Sequence, residues 1–499
     1  MWRPSGADRG RAAAGVRHLR VHRRPLRRGG ARGVSWQDEI RALLPAGLAW
    51  HEPVDTLAYR RDTSIVAPGH PDLVVRPLDA PGIGRVLAAA SRLNVPVYSR
   101  GAGSMYAGGV NPHAGGLVMD LGGLDRILDI DTVRGVVVLE PGVTFGALLA
   151  ALEPFGQTIG IVPSTGAAAT VGGAVSAHAL GTGSPRFQSM GDQVAGLEVA
   201  LADGSFIRTG SAAAHGAGFF HRYAIGPDLT GLFIGADGTL GVITKIALWL
   251  HPLPAHRETA CLGFADYPSA AAFLGELQRK ALLDNVWYGA GYDAMAVRGR
   301  LLGADPDLDP TALPRFMLGV DYGGDADAVA RDRTRIEALA AHYGGQPQPR
   351  FDEIYFHNLR RDELYWYSYA GYFAKSRCAM VMASFATDTL PAFLDQAQQW
   401  RERHPQFTWA SATVLCRRGL HGAVLAFYDE RQQWPEVQAV IAGCTTELMA
   451  LGCVPYKSGK LWAAEVRKLT EYQRAVTRIK AALDPAGVLA PGNLGLDAR

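Results

Sequence analysis

PVYSRGAGSMYAGG, residues 96–109, is the stretch whose chemistry decides how this chain folds. It opens as a short strand and then places four glycines in the ten residues Arg100–Gly109. Glycines directly after a strand leave no side chains in the way, so successive backbone N–H groups can converge on an anion. The run reads as a phosphate cradle or, since GAG is not a complete GxGxxG, as a glycine-rich turn. Upstream lie the strand DLVVRP (72–77) and a helix opened by Asp79 and Pro81, with the stripe Ile83, Val86, Leu87, Ala90 and Leu93 and Asn94 placed to stop it. Together these segments make a βαβ unit.

Short strands follow (LVMDL, ILDID, VVVLEPG), then a helix over TFGALLAAL (144–152). A second run of small residues, PSTGAAATVGGAVSAHALGTGS (163–184), would let a flat cofactor lie against the main chain. GLEVALADGSFIRTG (196–210) reads as a hairpin, with Asp203–Gly204 supplying the positive φ angles of a type I′ turn. The strand VITKIALWL closes this block at His251–Pro252. Two prolines in HPLPAHRE mark a boundary. Beyond it, residues 256–452 carry longer strands (RFMLGVDY, AMVMAS, AVLAFYD) and helices such as 388–403, which suits an antiparallel sheet with helices on one face. LWAAEVRKLTEYQRAVTRIKAAL (461–483) reads as one helix with the stripe Leu461, Trp462, Val466, Leu469, Tyr472, Val476, Ile479 and Leu483, ended by Asp484–Pro485. The expected class is α+β, with residues 34–255 and 453–499 in one domain and 256–452 capping it.

Composition narrows the classes of function. Of 499 residues 48% are apolar and 19% charged, and 59 are glycine, which excludes a disordered chain. No run approaches the ~18 uninterrupted apolar residues of a membrane span; VITKIALWL is broken by Lys245. The five cysteines, Cys261, Cys378, Cys416, Cys444 and Cys453, form no CxxC and fit a reducing cytoplasm. Residues 1–33 hold ten Arg against Asp8, so the net charge of +3 divides into +9 there and −6 for the body. With no apolar run after the arginines and no interleaved aromatics, this segment reads as a disordered leader before a targeting signal or a nucleic-acid arm. No nucleic-acid or membrane partner is expected.

From about residue 60 to 499 the chain resembles the PCMH-type FAD-binding fold shared by vanillyl-alcohol oxidase, p-cresol methylhydroxylase and the glycolate/lactate oxidoreductases. The segments that carry the resemblance, in the family's order, are PVYSRGAGSMYAGG, VVLEPGVTFGALL, ATVGGAVS, GLEVALADGSFIRTG, PDLTGLFIGADGTLGVITKIALWLHP and DPAGVLAPGNLG. The resemblance implies a two-subdomain FAD-binding domain with a cap domain over the flavin. It implies that Arg100, Gly101, Ala102, Gly103 and Ser104 hold the pyrophosphate, and that Ser164, Thr170, Gly173 and Ala174 line the flavin and ribityl chain. Val242 and Ile243 would meet the adenine end, and Asn493 would lie near the ring.

The metal-binding histidine pair and the EHG of the glycolate/lactate branch have no counterpart in CRRGLHGAVLAFYD and VPYKSGKLW, and no metal site is expected. The phenol-oxidising branch is similar at three points, Tyr106, Tyr456 and Lys457, where it uses Tyr, Tyr and Arg. Donors converging on a phenol oxygen would favour phenolate, which helps hydride leave the benzylic carbon for flavin. A cation ~4 Å away at an effective dielectric of ~20 is worth roughly 4 kcal/mol, or about three pKa units. Lysine lacks arginine's bidentate fork, so the substrate oxygen can differ.

His421 falls about where vanillyl-alcohol oxidase tethers its flavin; its two readings are a covalent link and a packing histidine. Asp192, in SMGDQV, is either a proton acceptor beneath the flavin or a loop cap. Nine aromatics between Phe351 and Phe373, among them Tyr365, Trp366, Tyr367, Tyr369 and Tyr372, are a pocket wall, a core or a dimer interface. The expected function is hydride abstraction by FAD from an alcohol or benzylic C–H of a small, phenolic substrate, with a 2-hydroxy acid as the alternative. Oxygen or an electron carrier would be the acceptor, and the oligomeric state stays open, a homo-oligomer included.

Overall fold

A four-stranded sheet carries the residues that open the chain's first block: β1 (Ala49–Trp50), β2 (Leu73–Val75), β3 (Val97–Arg100) and β4 (Leu117–Asp120), in the order β1-β2-β4-β3. The structure is a computed structural model that describes residues 34–223, 225–293, 313–355 and 377–497. Ser35–Arg499 form one contact unit. β2 and β3 both run parallel to β4, joined by the helix Ala80–Leu93. The Asp79 side chain caps that helix by accepting the Gly82 N–H, and Asn94 ends it in the left-handed region at φ 54°. The helix stripe Ile83, Val86, Leu87 and Ala90 is fully buried against Leu73, Val75, Val97 and Met119 of the sheet.

A second sheet comprises β5 (Ile127–Asp131), β6 (Val136–Leu139), β7 (Gln157–Ile159), β8 (Val194–Ala200), β9 (Phe206–Arg208) and β10 (Val242–Pro252), in the order β5-β6-β10-β8-β9 with β7 on β10. β8 and β9 form the expected hairpin, but its turn differs. Only Gly204 has positive φ, 85°, whereas a type I′ turn needs two such residues. The Gly204 N–H bonds the Leu201 carbonyl and the Leu201 N–H bonds that of Ser205, a longer loop closed by one left-handed glycine.

The third sheet is antiparallel throughout, built from β11 (His256–Phe264), β12 (Val286–Asp293), β13 (Phe316–Gly324), β14 (Gln346–Pro347), β15 (Arg377–Phe385), β16 (Thr408–Leu415), β17 (Leu420–Tyr428) and β18 (Val454–Pro455). Its order is β14-β11-β13-β12-β16-β17-β15-β18. Strand alternation divides its side chains between two faces. On β17, Leu420, Val424, Ala426 and Tyr428 join the core formed with the helices Tyr267–Arg279, Ala326–His342, Leu390–Arg403 and Glu430–Ala450. His421, Ala423, Leu425 and Phe427 point to the other face, where Met380 and Met382 of β15 also lie.

The single helix expected over 461–483 is two helices, Ala463–Lys468 and Thr470–Leu483, broken at Leu469 (ψ 70°). The reason lies in what each half buries. Trp462 and Val466 enter the core of the third sheet, while Ile479 and Leu483 pack on that of the second. One straight helix cannot serve both, and Leu469 and Tyr472, expected on the apolar stripe, are exposed. The aromatic run from Phe356 to Phe373 lies outside the described residues, as do residues 1–33.

Candidate active site

The loop 101–109 leaves the end of β3 and covers a cleft of about 930 Å³, counting its open mouth. Arg100, Gly101, Ala102, Gly103 and Ser104 line one side, and Thr165, Thr170, Gly173 and Ala174 the other. A loop outside regular structure must satisfy its backbone groups some other way, and here the side chains of Asp62, Lys460 and Asn493 do so directly while Asn111 braces Asp62. Asp62 accepts the Gly108 N–H at 2.8 Å, and Asn111 Oδ1 in turn accepts the Asp62 N–H at 2.8 Å. Lys460 Nζ donates to the Gly108 carbonyl at 3.1 Å and to Asn493 Oδ1 at 2.6 Å. Asn493 Nδ2 donates to the carbonyls of Gly109 and Asp237, each at 2.8 Å. Burial pulls the Lys460 pKa down to about 7, against the opposing charges of Asp62 and Asp237.

Gly103 shows why this stretch is glycine-rich. Its φ of +68° disfavours any side chain, and a Cβ there would run into the Arg100 guanidinium. That guanidinium donates to the Arg61 carbonyl at 3.0 Å and lies 5.6 Å from the centre of the Tyr59 ring. A cleft walled by glycine, alanine and small hydroxyl side chains, with an arginine at its base, fits a pyrophosphate joined to a flat ring.

A second cavity, about 720 Å³ counting space open to solvent, lies against the face of the third sheet opposite the four helices of its core. Ser164, Thr182, Tyr288, Tyr292, Thr413, His421 and Tyr456 give it a polar wall, and Met382, Val414 and Ala423 an apolar one. Lys457 lines both this cavity and the glycine-walled cleft. β18 positions the pair at 456–457: the Tyr456 N–H bonds the Met382 carbonyl at 3.3 Å, one step beyond the β15 ladder. The Tyr456 hydroxyl accepts the Leu180 N–H at 2.6 Å. Its ring meets His421 edge-on, with centroids 3.8 Å apart at 61°, and Lys457 Nζ lies 5.4 Å from the ring centre.

Electrostatics follow from enclosure. Lys457 is half-buried and lines the two cavities; burial lowers its pKa to about 8, with Asp237 pulling the other way. Burial, helped by the Lys457 charge, drops His421 to about 3, so its imidazole is neutral, and its Nδ1 has no hydrogen-bond partner among the described residues. Asp237, left-handed at φ 47°, accepts the Gly459 N–H at 2.9 Å and is raised by burial to about 6.

The structure gathers most of the residues singled out from the sequence. Arg100 to Ser104, Thr170, Gly173, Ala174 and Ile243 line the cleft, while Ser164 faces the second cavity instead. Tyr106 packs with Tyr456 against the Met380–Met382 face of the sheet. Three lie elsewhere. Val242 is core, 2% exposed. Asn493 is fully buried behind the loop, spending its amide on backbone and Lys460. Asp192 is exposed on a short 3₁₀ turn, accepting a hydrogen bond from Ser189, and lines neither cavity. Sequence reasoning missed Asp62, Asn111, Asp237 and Lys460. The aspartate between two glycines in GADG and the lysine of SGKLW were the available signals. No group of three His, Cys, Asp or Glu with metal-binding geometry occurs among the described residues.

Comparison with known proteins supplies the cofactor. Residues 71–210 match the FAD binding domain family. FAD is therefore the cofactor of this protein, and the matched stretch includes Arg100 to Ser104, Thr170, Gly173 and Ala174 of the first cleft. The chain is 29% identical over 286 residues to a glycolate oxidase subunit of Bacillus subtilis, covering 57% of this chain and 58% of that one. The match thus spans little more than half of that relative's length. The fold is that of 4-ethylphenol oxidase from Gulosibacter chungangensis (TM-score 0.80, 18% identity, 93% of this chain and 97% of that one). It is shared equally with p-cresol methylhydroxylase (TM-score 0.79, 18% identity, 93% and 96%). The fold class is the PCMH-type α+β architecture. No helix among the described residues is long and apolar enough to cross a membrane.

Proposed function

We propose that this chain is an FAD-dependent oxidoreductase that removes hydride from a carbon bearing, or conjugated to, an oxygen of a small substrate bound in the second cavity. The observation that carries this reading is Lys457, one side chain lining both the cofactor cleft and the polar cavity. A substrate oxygen held there has its neighbouring carbon at the boundary with the cofactor. Bound FAD supplies the two-electron acceptor. The protein's part is to bind and orient: Tyr456 and Lys457 meet the substrate oxygen, and the aliphatic residues Met382, Val414 and Ala423 cover the remainder.

Two substrate classes are supported by different observations. A phenolic alcohol or alkylphenol is supported by Tyr106 and Tyr456 on one sheet face and by the shared fold with two enzymes named for phenols. A small 2-hydroxy acid is supported by the similarity to the glycolate oxidase subunit and by Lys457, which in its protonated form can hold a carboxylate. Anaerobic mixing of the FAD-loaded protein with vanillyl alcohol, a 4-alkylphenol, glycolate and D-lactate separates them. Bleaching of the flavin by the phenols alone supports the first, by the hydroxy acids alone the second, and failure of all four sinks the oxidoreductase reading for these classes. His421 is proposed as a tether from its place on the wall of the second cavity, which shares Lys457 with the cofactor cleft. Acid precipitation tests it, since a tethered flavin stays with the pellet and a merely bound one leaves.

A further inference from the structure

We propose that Lys457 is the acceptor of the substrate's hydroxyl proton. Its neutral amine takes the O–H hydrogen of an alcohol held in the second cavity while the adjacent C–H hydrogen leaves with its electron pair to FAD. The inference rests on the oxidoreductase reading above and goes further in assigning the proton. The step balances: the O–H bond breaks as an N–H bond forms and the amine becomes ammonium. The C–H electron pair reduces FAD by two electrons as the C–O bond becomes C=O.

The cavity itself narrows the choice. Among its described lining residues, Lys457 and His421 are the side chains carrying a basic nitrogen. His421 is a poor acceptor, because burial holds it at about 3, whereas Lys457 at about 8 is partly neutral near pH 7 and half neutral one unit higher. Tyr456 already accepts the Leu180 N–H through its hydroxyl oxygen. Asp237 lines the cofactor cleft but not this cavity, so it tunes the lysine without reaching the substrate. Burial sets the Lys457 charge first and Asp237, from the turn before β10, opposes it, while neutral His421 from β17 and the ring of Tyr456 are the other groups facing the lysine.

Backbone geometry adds a second line. Lys457 is held at φ 51°, a left-handed conformation that costs a non-glycine residue and that persists where the surroundings enforce it. The turn it belongs to is pinned by the Asp237 contact to the Gly459 N–H and by the Lys460 bond to Gly108. Lysine rather than arginine matters here, because a guanidinium cannot release its proton at working pH and an amine can.

The test compares FAD-loaded wild type with K457R and K457Q, each checked for bound flavin. The first readout is the rate of anaerobic flavin reduction by the best hydroxyl substrate from pH 6 to 9. Wild type is expected to rise roughly tenfold per pH unit and level off near pH 8 to 9. K457R is expected to keep FAD, lose about 100-fold or more in rate, and lose the rise. K457Q is expected to recover rate when ammonia or methylamine is added, with no such effect in wild type. The second readout needs no turnover: trace acetylation of Lys457 in the holoenzyme, quantified by peptide mass spectrometry against pH, is expected to show a midpoint near 8. K457R within about tenfold of wild type with the pH rise intact overturns the proposal. So does an acetylation midpoint of about 10 or above, the ordinary lysine value. If wild type binds FAD yet no hydroxyl substrate reduces it, the oxidoreductase reading fails and acetylation alone decides whether this wall holds a proton-accepting amine.

Discussion

Lys460 ties three distant segments together through a single ammonium group: the cofactor loop at Gly108 and Gly109, the C-terminal Asn493, and the ring of Tyr98, 4.9 Å away. Removing one partner of a buried charged network leaves the others unpaired, so Lys460→Met is expected to cost about 3 kcal/mol or more in urea unfolding and to lower FAD retention. The pH dependence has a definite sign. Lys457 and Lys460 titrate near 8 and 7 in the folded protein and near 10.4 unfolded, so the unfolded chain binds more protons across that window. Their contribution to the stability of the FAD-free protein therefore grows as pH rises from about 7 to 10 and is lost as pH falls through the folded values. Urea midpoints at pH 7, 8 and 9 should climb more steeply in wild type than in a K457M/K460M double variant. His421→Leu should leave the fold intact, since burial already holds the ring neutral and leucine fills a similar volume, while slowing turnover of any substrate oriented against it.

Local elements were legible wherever one short-range rule decided them. Asp79, the helix stripe and Asn94 delimit the helix Ala80–Leu93 because a cap, a 3.6-residue period and a left-handed stop all lie within the segment. Asp79→Ala is accordingly expected to cost 0.5–2 kcal/mol, measurable by denaturant unfolding. The break at Leu469 was not legible, because no glycine or proline marks it. It arises from two cores pulling on one amphipathic sequence, and neither core is visible within residues 461–483. The turn at Asp203–Gly204 failed for a related reason, since the dipeptide permits several loops and the register of β8 on β9 selects among them. The cofactor-loop glycines were readable from their density, but Asp62 and Asn111, which hold the loop from some forty residues upstream and from just beyond it, carry no local mark. Asp192 had two readings, proton acceptor or loop cap, and its exposed place beside Ser189 is set by the tertiary fold, which the local sequence does not show.

At the scale of the whole molecule, the site is assembled from parts far apart in sequence: a loop after β3, a turn before β10, one face of the third sheet, and the pair at 456–457, with Lys460 and Asn493 bracing the loop from behind. Such a site links cofactor binding to global stability, because the ligand adds contacts among segments far apart in sequence. FAD at 100 times its dissociation constant should add about 2.7 kcal/mol to the unfolding free energy, read as a rise in Tm over the flavin-free protein. The most direct test of the central claim is a titration of flavin-free protein with FAD, followed by quenching of flavin fluorescence. Wild type should bind FAD saturably at one per chain, and G101V, whose side chain would enter the space beside Thr170, should not. A wild-type protein that leaves flavin fluorescence unchanged, or a G101V variant that binds FAD equally well, would contradict the account.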